Sequence, residues 1–181
     1  MDLIDRLFGH SRWTTNRYLE YSLPLTDEQL DREFDIGNQT VRRTFIHIIR
    51  AMDGWAGRLS GTSPEPHPPA TSSVPELIDF HNAAFDRFEA ASKAVLATGN
   101  LNGIFTDHHN FPQSYGGTIL QVMVHNVEHR SDIRHMLVRL GVQNLIDGDL
   151  QEWEHFSGLI TRWGGEYPPD FTPPWETDTP G

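Results

Sequence analysis

The sequence has no cysteine. Disulfides and thiolate-ligated metal sites are therefore excluded, and a cytoplasmic setting is the natural expectation. Basic residues are scarce: 14 Lys plus Arg stand against 25 Asp plus Glu, giving a formal net charge of −11 and a pI of about 5.2. Phosphate contacts need a basic stripe, and none is in view, so nucleic acid and anionic membrane surfaces are not expected partners. No stretch approaches the roughly 18 consecutive apolar residues of a membrane span. The opening segment, MDLIDRLFGHSRW, carries acids at positions 2 and 5 and does not read as a signal peptide. What is plentiful is histidine, with ten, and tryptophan, with five. Hydrophobic residues make up 37 % of the 181, enough for one core and one domain.

The chain reads as helices separated by Pro, Gly and Ser. Leu3, Ile4, Leu7, Phe8, Tyr18 and Leu19 recur at helical spacing over 2–22. In LTDEQLD, Thr26 stands three residues before Gln29, a capping-box pattern for a short turn. A stronger helix spans 38–59, with Val41, Phe45, Ile48, Ile49, Met52, Trp55, Ala56 and Leu59 on one stripe. The segment 61–73, GTSPEPHPPATSS, holds four prolines and reads as a long surface loop. Ser73 followed by Pro75 and Glu76 predicts an N-cap and first turn, opening a helix to about Ala97. Residues 98–117 read as loop. A fourth long helix runs from near Thr118 to Gly141, and a fifth covers about 148–163. No run reads as a β-strand. The expected fold is all-α: an up-and-down four-helix bundle with additional short helices over 1–163, then an extended Pro-rich tail over 164–181.

Within the fourth helix, HNVEH (125–129) fits two patterns. H-x-x-E-H belongs to zinc hydrolases in which the Glu is a general base. H-x3-H is a metal clip of two imidazoles one turn apart. At about 100° per residue, Ile119, Val122, Met123, Asn126, Ile133, Leu137 and Leu140 form one arc, with His129 and then His125 at its edge. Glu128 falls off the arc, which favours the clip. His47, in FIHIIRAMDGW, lies on the flank of the second long helix between small Thr44 and Ala51. His47, His125 and His129 are therefore the candidate metal ligands. Three imidazoles with a fourth position left over form an open coordination set of the kind that activates water or a thiolate. The cofactor expected is a divalent metal, zinc or nickel first, with iron or manganese next.

The remaining histidines fit less well. His67 lies in the proline loop. His108 and His109 precede the fourth helix, where they either line a pocket mouth or are solvated. His135 faces away from the core arc, His10 can reach the bundle centre, and His155 flanks Trp153 and Phe156 as a structural residue.

Several stretches, in order, resemble the DinB/YfiT family of metal-binding four-helix bundles: LFGHSRWTTNRYLE with LTDEQLD, FIHIIRAMDGW, VHNVEHRSDI, and LIDGDLQEWEHFSG. The resemblance implies the same triad of His47, His125 and His129. It also implies a metal-dependent enzyme of the thiol S-transferase type, whose relatives use bacillithiol or mycothiol. Two positions depart from the family pattern: Glu128 stands where an extra histidine is common, and Ser131-Asp132 where a Gly-Gln pair is common. Both departures bear on the substrate more than on the metal.

Around the triad, Asp132 sits one turn from His129 and is a candidate acceptor for its second ring N–H. Arg130 either pairs with an acid between helices, such as Asp53, or is solvated. Asp53 itself reads as a solvent-side acid next to a core Trp55. A small-molecule substrate, with a low-molecular-weight thiol as the leading choice, and a homodimer are the expected partners. Two other functions stay open: a non-enzymatic, stress-related protein that binds metal or a ligand, and a metal-dependent hydrolase.

Overall fold

The computed structural model describes residues 1–107 and 110–159. Six helices and one hairpin follow in the order α1 (Leu3–Ser22), α2 (Asp27–Leu30), α3 (Val41–Ser60), α4 (Val74–Thr98), β1 (Ile104–Thr106), β2 (Pro112–Ser114), α5 (Tyr115–Arg139) and α6 (Leu150–Phe156). The fold is an all-α bundle of the four long helices α1, α3, α4 and α5. The expected fifth helix is shorter than 148–163; it is capped by Asp149, and residues 160–163 and the tail 164–181 lie outside the described residues.

The helix ends follow the local chemistry. Thr26 and Ser73 close reciprocal capping boxes with Gln29 and Glu76. Asp2, Thr40 and Ser114 cap α1, α3 and α5 by accepting a backbone N–H from the first turn. Past α5, Gly141 takes a φ of 85°, the left-handed turn that ends helices and that glycine adopts without a Cβ penalty.

The reading of 98–117 as plain loop needs correction. Residues 104–106 and 112–114 pair antiparallel, Ile104 with Ser114 and Thr106 with Pro112. Three-residue strands carry too few alternations to show a period of two. Their pairing rests on the connection, where the Asp107 N–H bonds to Phe111 O and Asp107 Oδ1 accepts the Phe111 N–H.

Each long helix buries its apolar stripe. Phe8, Phe45, Phe85, Phe88, Met52, Met123 and Ile133 are at most 2 % exposed. The ring of Phe8 meets Phe85 and Phe88 edge-on, with centroids 6.2 and 5.9 Å apart. Truncating such a ring to Ala costs about 3–5 kcal/mol. The main neighbours of α3 are α4 and α5, and α1 packs on the same two. Consecutive α1 and α3 are thus joined across the bundle by the α2 segment. There Arg42, 2 % exposed, binds Asp27 of α2, Asp31 just past its end, and Ser72 O before α4. Trp153 of α6 packs against Gly9, where a Cβ would stand 2.4 Å from its ring, and covers α1.

Candidate metal centre

The packing of α3 on α5 sets the site. On α3 the buried stripe includes Val41, Thr44, Phe45, Ile48 and Met52, which leaves His47 half-buried on its flank. On α5 the buried stripe includes Ile119, Val122, Met123, Asn126, Ile133 and Leu137, which leaves His125 and His129 half-buried at its edge. The two edges face each other. His47 Nε2 lies 2.9 Å from His125 Nε2, and His129 Nε2 lies 3.1 Å from the same atom. The donor nitrogens of all three fall within 4.8 Å of one another.

These residues fit a divalent cation. Tetrahedral metal–nitrogen bonds of about 2.0–2.1 Å set ligand nitrogens about 3.3 Å apart, close to the spacing seen. In the tautomers that leave all three Nε2 atoms unprotonated, their lone pairs repel one another unless a cation sits between them. Burial, and then the neighbouring rings, hold the pKa of His47 and of His125 below the usual histidine value. Both rings are therefore neutral at physiological pH, the form that binds metal. A set made only of imidazoles suits zinc, nickel, copper or iron over calcium and magnesium.

Asp132 lies where the sequence reading places it. Its Oδ2 is 3.2 Å from His129 Nδ1 and accepts that N–H, which leaves the Nε2 lone pair turned toward the other rings. The carboxylate is held against Gly37, whose φ is +43°. A Cβ there would stand 2.3 Å from Asp132 Oδ2, so a side chain at 37 would displace the carboxylate from this contact. Glu128 is exposed on α5, outside the cluster.

Arg130 and Asp53 do not meet, and neither is solvated. Asp53 is 4 % exposed and pairs with Arg87, while its Oδ2 accepts the Glu65 N–H at 2.9 Å. It anchors the proline loop to α3 and α4, and the half-buried residue beside it is Trp55. The sequence misassigns this pair because a wheel does not show that a loop will fold over a helix face. Arg130 is 4 % exposed and donates through Nη1 to Ser11 of α1. Burial pulls its pKa down to about 10, so it stays cationic at neutral pH. Both side chains belong to other contacts and not to the shell around the histidines.

Among the other histidines, His135 and His155 are exposed, and His108 and His109 lie outside the described residues. His10 is buried and donates from Nε2 to Gly148 O at 2.8 Å. One histidine, His81, escaped the sequence reading, and His67, placed in the proline loop, has a fixed setting there. His81 is fully buried against Phe85, with Nδ1 on Asn16 Oδ1 at 2.9 Å, although it sits within an otherwise apolar stripe. His67 shares with His47 the wall of a cavity of about 440 Å³, along with Asn38, Arg43, Arg50 and Ala70. Pro66 and Pro68, on either side of His67, were the available sign that the loop has a fixed path.

The fold and the cluster together define a helical bundle with a candidate three-histidine centre between two of its helices. The model of the DinB superfamily matches residues 10–133, a span that includes α3, α4 and all three histidines. The chain belongs to that superfamily, whose members are metal-binding helical proteins. A search of curated proteins finds no match.

Proposed function

We propose that this protein is a divalent-metal-dependent transferase acting with a low-molecular-weight thiol, and that His47, His125 and His129 are its metal ligands. The observation that carries the reading is the convergence of three imidazoles, with no fourth protein ligand among the described residues. Such a set leaves a coordination position for an exogenous group, whereas structural sites fill all four with protein. A cation held there supplies Lewis acidity, which lowers the pKa of a bound thiol or water.

The chain's own residues do the rest. Asp132 fixes the His129 tautomer through Nδ1. The apolar stripes of α3 and α5 hold both edges rigid, so the nitrogens are placed before a ligand arrives. The 440 Å³ cavity beside His47 offers room for a small substrate. Arg43 and Arg50 on its wall favour a substrate that carries negative charge. Glu128, exposed and turned away, serves as no base for a metal-bound water.

The test is a titration of Co(II)-loaded protein with a panel of low-molecular-weight thiols, read by visible absorption. The reading expects a new thiolate-to-metal band with at least one thiol, lost in His125→Ala. A spectrum indifferent to every thiol counts against it and favours a metal-binding role without thiol chemistry.

A further inference from the structure

Among the described residues, three side chains that carry full charge are buried: Arg42, Asp53 and Arg130. Arg42 is paired with Asp27 and Asp31, and Asp53 with Arg87. Arg130 is the exception. Its Nη1 reaches Ser11 Oγ at 2.7 Å and Ser11 O at 3.3 Å, both neutral acceptors. No carboxylate meets it among the described residues. A guanidinium carries five N–H donors in a planar fork, and among the described residues no protein acceptor meets the Nε and Nη2 edge of Arg130. A buried cation without an anion is strongly unfavourable.

That side chain forms part of the wall of a cavity of about 320 Å³ between α1 and α5. Arg134, Tyr18, Thr14, Ser131, Asp147 and Gly148 share the wall. The nearby acids already have partners, and one of those partners is a wall residue. Asp147 pairs with Arg134 at 3.0 Å, and Glu152 accepts the Gly148 N–H at 2.7 Å. With Asp147 80 % exposed, its pair with Arg134 is a weak surface contact, and Arg134 is able to exchange it for another anion. His10, also on the wall, ties Gly148 to α1 through Gly148 O. The cavity volume lies within the range of small-molecule sites, which run from about 300 to 1,000 Å³.

We infer that this cavity is a second binding site, which takes a small oxyanion, the carboxylate or phosphate group of a metabolite, on the free edge of Arg130 with Arg134 as a second cation. A planar fork and a carboxylate or phosphate match in a bidentate pair, which is why arginine recognises both. The site lies on the α1 side of α5. The histidine cluster lies on the α3 side, and the two share no residue.

The experiment is calorimetric titration of the full chain in a chloride buffer with inorganic phosphate and with succinate. It is run on metal-loaded and chelator-treated protein, and on His125→Ala, so that anion binding at the metal is recognised. Saturable binding of phosphate or succinate is expected, unchanged by chelator and in His125→Ala; whichever anion binds more tightly identifies the headgroup. Arg130→Gln is expected to weaken it by about thirtyfold or more. Ser131 is exposed at the cavity wall, so Ser131→Glu leaves the core intact and is expected to weaken binding about tenfold by like-charge repulsion. Failure of the wild-type protein to bind either anion overturns the inference. So does binding of equal strength in Ser131→Glu, or binding that disappears with chelator.

Discussion

On the α3 side of α5, three imidazoles face one another across a half-buried gap. In the bundle interior, His81 is sealed from water. His125 and His81 are the same residue type, and burial lowers the pKa of both. Their neighbours differ. His125 has two other imidazole nitrogens in front of it, an arrangement that a cation relieves. His81 has Asn16 Oδ1 on one side, and the cations Arg12 and Arg130 lower its pKa further, to about 3. A cation near His81 is excluded by charge; near His125 it is what the geometry lacks. A candidate ligand and a core histidine are thus distinguished by what faces the ring nitrogens.

That contrast can be broken from either side. The largest effect belongs to the ligands. His125→Ala or His129→Ala should lower metal affinity by well over about a hundredfold, more than loss of an outer-shell partner does. Titration against a competing chelator measures it, and the far-UV spectrum should be unchanged.

The next effect belongs to the sealed histidine. In the unfolded chain His81 titrates near 6.5, and in the fold only near 3. Between those values the unfolded state binds a proton that the native state does not, so stability falls as pH falls from 6.5. The slope from this group is about 1.4 kcal/mol per pH unit, or about 2–3 kcal/mol by pH 4.5. Urea unfolding with chelator present should show His81→Phe losing that part of the pH dependence. An identical slope in the variant removes His81 from the account.

Asp132→Ala should weaken metal binding by about 10–100-fold, because His129 keeps its nitrogen but loses the group that orients it. An effect on folding stability larger than the effect on affinity would instead make Asp132 a clamp for the 35–40 turn. The smallest effect is that of Glu128→Gln. Affinity and activity should stay within about twofold, since an exposed residue off the cluster contributes little.

Much of the fold was legible in the sequence. The four long helices, the caps at Thr26 and Ser73, and the stop at Gly141 all follow from periodicity and turn chemistry within a few residues of one another. The triad was legible for the same reason. His125 and His129 are one helical turn apart, and His47 is marked by its place beside a strong apolar stripe. What was not legible depends on contacts far apart in sequence. The burial of Asp53 is set by a loop that folds back to Arg87 and Glu65. Arg130 reaches Ser11 on a helix more than a hundred residues earlier. The fate of a polar residue at the edge of an apolar arc is decided by the helix opposite, and one helix's wheel does not contain it.

The most direct test of the central claim is metal content in protein purified without a histidine tag. The account predicts about one divalent ion per chain in the wild type and none above background in the variant with His47, His125 and His129 all replaced by alanine. A wild type that is metal-free even after incubation with zinc and nickel contradicts it, and so does a triple variant that retains its metal.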